Sequence, residues 1–171
     1  MKNFTLIEKN VFTDLECYGL IELYKTQCIE PEKNYYGYKY VDIDSFPFLD
    51  KLYKQINKYK TKFKEIELTA SNWNMTNLRF KHFEKGKSFN NWHSEHCISF
   101  PHRILNIQIY LSTHNCGTEF YDNSIIKSEE GAVAMFPAYF THTHKGQVCP
   151  DKKDRYIITG YLEFTDKGRL E

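Results

Sequence analysis

Two segments constrain how this chain can be layered. In RILNIQIYLS (103–112), Leu105, Ile107, Ile109 and Leu111 fall on one side, and Asn106, Gln108 and Tyr110 fall on the other with Ile104. In RYIITGYLEF (155–164), Arg155, Thr159 and Tyr161 share a face with Ile157, while Tyr156, Ile158, Gly160, Leu162 and Phe164 form an apolar face. Side chains alternate across a strand, so each segment predicts a strand with one core face and one polar face. Further short segments at about 66–70, 77–84, 92–97, 117–122 and 132–136 are divided by turn residues. That density of strands points to a sandwich or barrel.

The first 65 residues read differently, as mainly helical with one strand. Thr13 and Glu16 form a capping-box pattern with Phe12 before it, and Cys17, Leu20, Ile21, Tyr24 and Cys28 follow at helical spacing. Tyr36, Tyr38 and Tyr40 alternate as in a strand. Ser45 before Pro47 predicts a second helix start, with Phe48, Leu49, Leu52, Tyr53, Ile56 and Tyr59 on its inner face. No repeat or linker divides the 171 residues, so a single domain is expected: a helical support region over 1–65 and a β core over 66–164.

Composition excludes some classes. The 23 Lys and Arg nearly balance the 22 Asp and Glu, which argues against nucleic acid as a partner. No apolar run approaches a signal peptide or a membrane span, and the five cysteines lie in no CxxC spacing. A cytoplasmic, reduced protein acting on a small molecule or a peptide is the expectation; nothing in the sequence fixes the oligomeric state.

The chemistry concentrates in His93-Ser-Glu95, answered by His144 and then Arg155. Two imidazoles and one carboxylate are the ligand set of a facial-triad iron(II) site, which leaves three positions open. His93 and Glu95, two apart in an extended segment, would project to one side. Arg155 can pair a carboxylate bidentately, and Thr159, one strand period away, can add a hydroxyl.

These segments carry a resemblance. FEKGKSFNNWHSE (83–95), RILNIQIYLS (103–112), GTEF (117–120), and GAVAMFPAYFTHTHKG with DRYIITGYLEF (131–146, 154–164) resemble the Fe(II)- and 2-oxoglutarate-dependent dioxygenases, most closely the prolyl-hydroxylase-like branch. The resemblance covers about half the chain. It implies a mainly β fold with N-terminal helices: a double-stranded β-helix, or jelly roll, supported by helices on one sheet. It also implies His93, Glu95 and His144 as iron ligands, with Arg155, Thr159 and Tyr110 holding 2-oxoglutarate. The implied reaction consumes O2 and 2-oxoglutarate, hydroxylates a substrate (a peptidyl proline or another peptide residue) and releases succinate and CO2.

The chain departs from the family pattern in two places. Glu95 stands where the family usually has Asp, and Phe83 where the branch often has a tyrosine. If Phe83 faces inward, strand parity brings Arg79 and Lys81 inward too, where they could meet an anionic substrate. Asn106, Gln108 and Trp92 complete the candidate substrate pocket. His142 is the rival distal ligand, although Arg155 follows His144 by eleven residues, about the family spacing. Two other functions compete: a non-catalytic jelly-roll binding module, and a cupin-like or zinc protein using His142 and His144 with Cys149 or His96.

Overall fold

The alternation in 103–110 places this segment at the centre of a sheet. The computed structural model describes residues 3–33, 36–69 and 72–165. In chain order the strands are β1 (Leu6–Glu8), β2 (Lys39–Ile43), β3 (Trp73–Phe83), β4 (Arg103–Tyr110), β5 (Gly117–Phe120), β6 (Ile125–Lys127), β7 (Val133–Pro137), β8 (His144–Gly146) and β9 (Arg155–Phe164). Six form one antiparallel sheet in the order β1-β7-β4-β9-β3-β2, and three form a second in the order β6-β5-β8. This is the expected jelly roll, mainly β with helices on one sheet.

Both helices pack on one face of the larger sheet. The first, α1 (Asp14–Tyr24), opens on the predicted capping box: the Thr13 hydroxyl accepts from the Glu16 amide, and the Glu16 carboxylate accepts from the Thr13 amide. The second, α2 (Leu49–Lys62), buries Leu52, Gln55, Ile56 and Tyr59. Leu20, Tyr24, Leu52 and Ile56 join Leu105, Ile107, Ile109, Ile158 and Leu162 in one apolar core. Full burial of each such side chain is worth about 1.5–3 kcal/mol. A smaller apolar cluster, with Phe83, Phe120, Phe136 and Ile157, lies between the sheets.

Several expectations are corrected. The segment 66–70 is not a strand: Lys64–Leu68 is a 3-10 helix and Leu68 is exposed, so its alternation has no sheet to face, and residue 70 lies outside the described residues. Residues 92–97 form an irregular segment tied at single bridges, His93 to His144 and Cys97 to Phe100. Ile104 joins the helix-side core rather than the polar face, because a register shift between Arg103 and Leu105 breaks the parity there. Ser45 does not cap α2, whose N-cap is Phe48 with no side-chain bond. The first 65 residues contribute two strands to the sheet, not one: β1 on β7 and β2 on β3. Cys116 and Cys149 are paired as a disulfide, against the expectation of reduced thiols. They are 33 residues apart, so spacing alone hides the pairing.

Candidate functional site

The ladder between His93 and His144 builds the centre of the site. Each donates its backbone N–H to the other's carbonyl, at 3.0 and 2.9 Å, which fixes the two rings 4.4 Å apart. The Nδ1 of His93 lies 2.9 Å from the carbonyl of Asn91, and the Nδ1 of His144 lies 2.9 Å from that of His142. With Nδ1–H donated to a carbonyl, each Nε2 carries a free lone pair. The Nε2 atoms of His93 and His144 stand 3.6 and 3.8 Å from Oε1 of Glu95. The three ligand atoms lie within 4.8 Å of one another, a group that could hold a metal ion.

The protonation states suit that role. Burial, then the neighbouring His93, pulls His144 down to about 4, so it is neutral near pH 7. Burial alone would raise the Glu95 carboxyl. The neighbouring His93, Lys81 and His144 outweigh it and hold Glu95 well below the carboxylate range. Its oxygens are divided between two donors. Asn106 donates to Oε1 at 3.0 Å and Arg103 to Oε2 at 3.2 Å. Arg103 is itself fixed by Glu163 at 3.2 Å and lies between the rings of Phe100 and Tyr161, 3.7 and 3.6 Å from their centres. This clamp orients the extra methylene that distinguishes Glu95 from an aspartate. Arg103 was not singled out in the sequence; it reaches Glu95 because the bulge at the start of β4 turns it inward.

A second polar group shares the cavity. Arg155, at 4% exposure, lies 4.5 Å from the Phe83 ring centre; its Nη1 reaches Sγ of Cys116 at 3.6 Å and its Nη2 reaches Oγ of Ser88 at 3.4 Å. These are long contacts to weak acceptors, and its Nε has no partner among the described residues. The Oγ1 of Thr159 is buried and unpartnered too. Burial lowers the Arg155 pKa, against the smaller opposing influence of Tyr110 and Asp151. The hydroxyls of Tyr110 and Thr118 and the Oε1 of Gln108 lie 2.8–2.9 Å from one another on the cavity wall and share the two hydroxyl hydrogens. Gly146 leaves the space open: a Cβ there would sit 2.8 Å from Oγ of Ser88 and 3.3 Å from Nη2 of Arg155. The sequence reading missed Ser88, Cys116 and Thr118, although Thr118 lies inside the GTEF segment.

Such a pair of orphaned donors fits a carboxylate. An unpartnered buried polar atom costs about 1–3 kcal/mol, so a ligand that satisfies it has that much to gain. The 2-oxoglutarate expected from the sequence carries a distal carboxylate of the right kind for Arg155 and Thr159, and a keto acid that would suit a metal held by the His93–Glu95–His144 group.

The remaining candidates divide. Lys81 lines the cavity beside Glu95, and Phe83 beside Arg155. Arg79 lies on the wall of the wider adjoining cleft, held by both oxygens of Asp42 at 2.7 and 3.1 Å. Burial pulls the Lys81 ammonium down to about 8, against the attraction of Glu95. Trp92 does not line the pocket: its ring packs on Tyr121 and under the Lys145 ammonium, because its neighbour His93 takes the inward side. His142 is turned away, its Nε2 2.6 Å from the carbonyl of Asn3 and its Nδ1 3.0 Å from Oγ1 of Thr141. Cys149 groups with His114 and Asp151, not with His142 or His144, and His96 bonds to the carbonyl of Arg103.

No helix of the described residues is long and apolar enough to cross a membrane. No family model matches the sequence, and no curated protein does. Solved structures do. A viral collagen prolyl hydroxylase from Paramecium Bursaria Chlorella virus-1, in complex with 2OG, matches 95% of this chain and 97% of its own at TM-score 0.72 and 15% identity. A Pseudomonas putida prolyl-4-hydroxylase matches 96% and 95% at TM-score 0.73 and 10% identity. A Trichoplax adhaerens prolyl hydroxylase, in complex with a hypoxia inducible factor peptide fragment, matches 95% and 84% at TM-score 0.71 and 14% identity. At these identities the likeness is one of fold: the chain has the jelly-roll fold of the 2-oxoglutarate oxygenases and prolyl hydroxylases.

Proposed function

We propose that the chain is an Fe(II)- and 2-oxoglutarate-dependent dioxygenase that hydroxylates a peptide residue, with a peptidyl proline the first candidate. A substrate C–H becomes C–OH: one oxygen atom of O2 enters the substrate and the other enters succinate, as 2-oxoglutarate loses CO2. The carrying observation is the coexistence, in one cavity, of a His93–Glu95–His144 group and the unpartnered donors of Arg155 and Thr159. Either half alone has ordinary structural explanations; together they match the two ends of 2-oxoglutarate.

Iron(II) held by His93, Glu95 and His144 would supply open positions for a chelating keto acid and oxygen. The protein's own residues do the rest. Nδ1 hydrogen bonds hold both imidazoles in the tautomer that presents Nε2. Arg103 and Asn106 fix the Glu95 carboxylate. Arg155 and Thr159 anchor the distal carboxylate of 2-oxoglutarate, and the apolar walls of Phe83, Phe89 and Ile157 exclude water around it. The likeness of fold to prolyl hydroxylases, one of them in complex with a peptide, supports a peptide substrate in the adjoining cleft.

The test is succinate release by the iron-loaded protein across peptide, amino-acid and nucleotide panels, with each product examined for a gain of one oxygen. Succinate coupled to a peptide product is the expected result. Absence of succinate from the whole panel, with and without substrate, would contradict the proposal.

A further inference from the structure

Arg79, Lys81 and Arg103 stand at the mouth of the cavity and are not equivalent; the cleft beyond also carries Lys33 and Glu32, which offset each other in charge. Arg79 is neutralised by Asp42 and stacked 4.1 Å from the Tyr40 ring centre. Arg103 is neutralised by Glu95 and Glu163. Lys81 has no carboxylate within ion-pair distance among the described residues; its Nζ lies 5.1 Å from the Tyr38 ring centre. On β3 it stands midway between Phe83, which pairs with Arg155, and Arg79, which pairs with Thr159. It lines both the inner cavity and the outer cleft of about 580 Å³, and so sits where they join.

The charges make its position informative. With a divalent metal and the 2-oxoglutarate dianion in place, Glu95 and Arg155 bring that group to zero. The Arg79–Asp42 and Arg103–Glu163 pairs also cancel. Lys81 is then one uncompensated positive charge, partly withdrawn from water and facing the place where a substrate must enter. An unpaired charge in that setting is costly unless something matches it. An aromatic ring at 5.1 Å offers a cation–π contact but no hydrogen-bond acceptor.

Resting on the dioxygenase reading, we propose that Lys81 anchors a carboxylate of the prime substrate. The enzyme then acts on a carbon close to a single negative charge. That charge is either the α-carboxylate of a free amino acid or peptide C-terminus, or an acidic side chain beside the target residue. Neutral, collagen-like peptides would be poor substrates.

The experiment uses the full chain with Fe(II) and 2-oxoglutarate under anaerobic conditions, where the metal–co-substrate charge-transfer band is the reporter. Acetate is the probe. It should perturb the band of the wild-type protein with saturation, and Lys81→Met should weaken its binding by about tenfold or more while Lys81→Arg retains it. The affinity for 2-oxoglutarate should be the same in wild type and Lys81→Met. In air, Ala-Pro-Glu and Ala-Pro-Gln amides, and L-proline against L-prolinamide, separate the two sources of carboxylate. The acidic member of at least one pair should drive succinate release about tenfold faster than its neutral partner.

Acetate that leaves the wild-type band unchanged, or binds Lys81→Met equally well, overturns the proposal. So do neutral and acidic probes of equal effect. A drop in 2-oxoglutarate affinity on Lys81→Met would assign the lysine to the co-substrate instead. If the wild-type band never forms, the dioxygenase reading itself has failed, which is a separate outcome.

Discussion

On one face of the six-stranded sheet, Leu105, Ile107 and Ile109 of β4 meet α1 and α2 in an almost wholly apolar core. On the other face of the same strand, Asn106, Gln108 and Tyr110 stand among Glu95, His144, Arg155 and Thr159, all buried. The helix side is where burial stabilises the fold. The cavity side keeps ionised groups from water and leaves Nε of Arg155 and Oγ1 of Thr159 without partners. A fold stabilised largely from one face can tolerate such groups on the other, where they are poised for a ligand.

Substitutions on the two faces should therefore separate activity from stability. The largest effect is expected for His93→Ala, which removes a proposed metal ligand from the cavity face. Succinate release should fall on the order of a thousandfold or more, with unfolding free energy changed by less than about 1 kcal/mol. An equally large loss of stability would break the comparison. Ile109→Ala, on the helix face, should do the opposite. Chemical denaturation should record a loss of about 2–5 kcal/mol, with activity per folded molecule within a few-fold of wild type.

The pH dependence of the metal-free protein sharpens the contrast. His144 has an ordinary value of 6.5 and is lowered to about 4 in the fold, so the unfolded chain binds its proton first as the pH drops. Its contribution is intact above pH 6.5 and is lost as pH falls towards 4, amounting to roughly 3 kcal/mol at most. Glu95, also held low, adds to the loss below its ordinary 4.5. Denaturation midpoints across pH 4–7 check this, and a midpoint that is flat or rises on acidification would contradict it. The smallest effect belongs to Arg103→Met. Metal affinity, read by competition with a chelator, should weaken by about tenfold, because Glu95 loses one of the two groups that orient it.

The same contrast explains what was legible in the sequence. Regular alternation gave the faces of β4 and β9, since parity is a property of the strand itself. Thr13 and Glu16 announced α1 because a capping box is local. What was hidden depends on breaks in regularity or on distant partners. The bulge at Arg103 moved Ile104 to the helix side and brought Arg103 to Glu95, and no residue type marks a bulge here. The Cys116–Cys149 pair and the Ser88 contact to Arg155 join segments 33 and 67 residues apart. Trp92 stands outside the pocket because its neighbour His93 faces inward, so alternation alone turns Trp92 away, onto Tyr121 and Lys145.

The most direct test of the central claim is an anaerobic titration of the wild-type protein with Fe(II) and then 2-oxoglutarate, beside Arg155→Met. The account predicts a saturable visible charge-transfer band at one equivalent of iron. In Arg155→Met the same band should require about a hundredfold more 2-oxoglutarate, the scale of a charge-assisted bond to a carboxylate. A folded wild-type protein that gives no band, or a variant that binds 2-oxoglutarate as well as wild type, would contradict it.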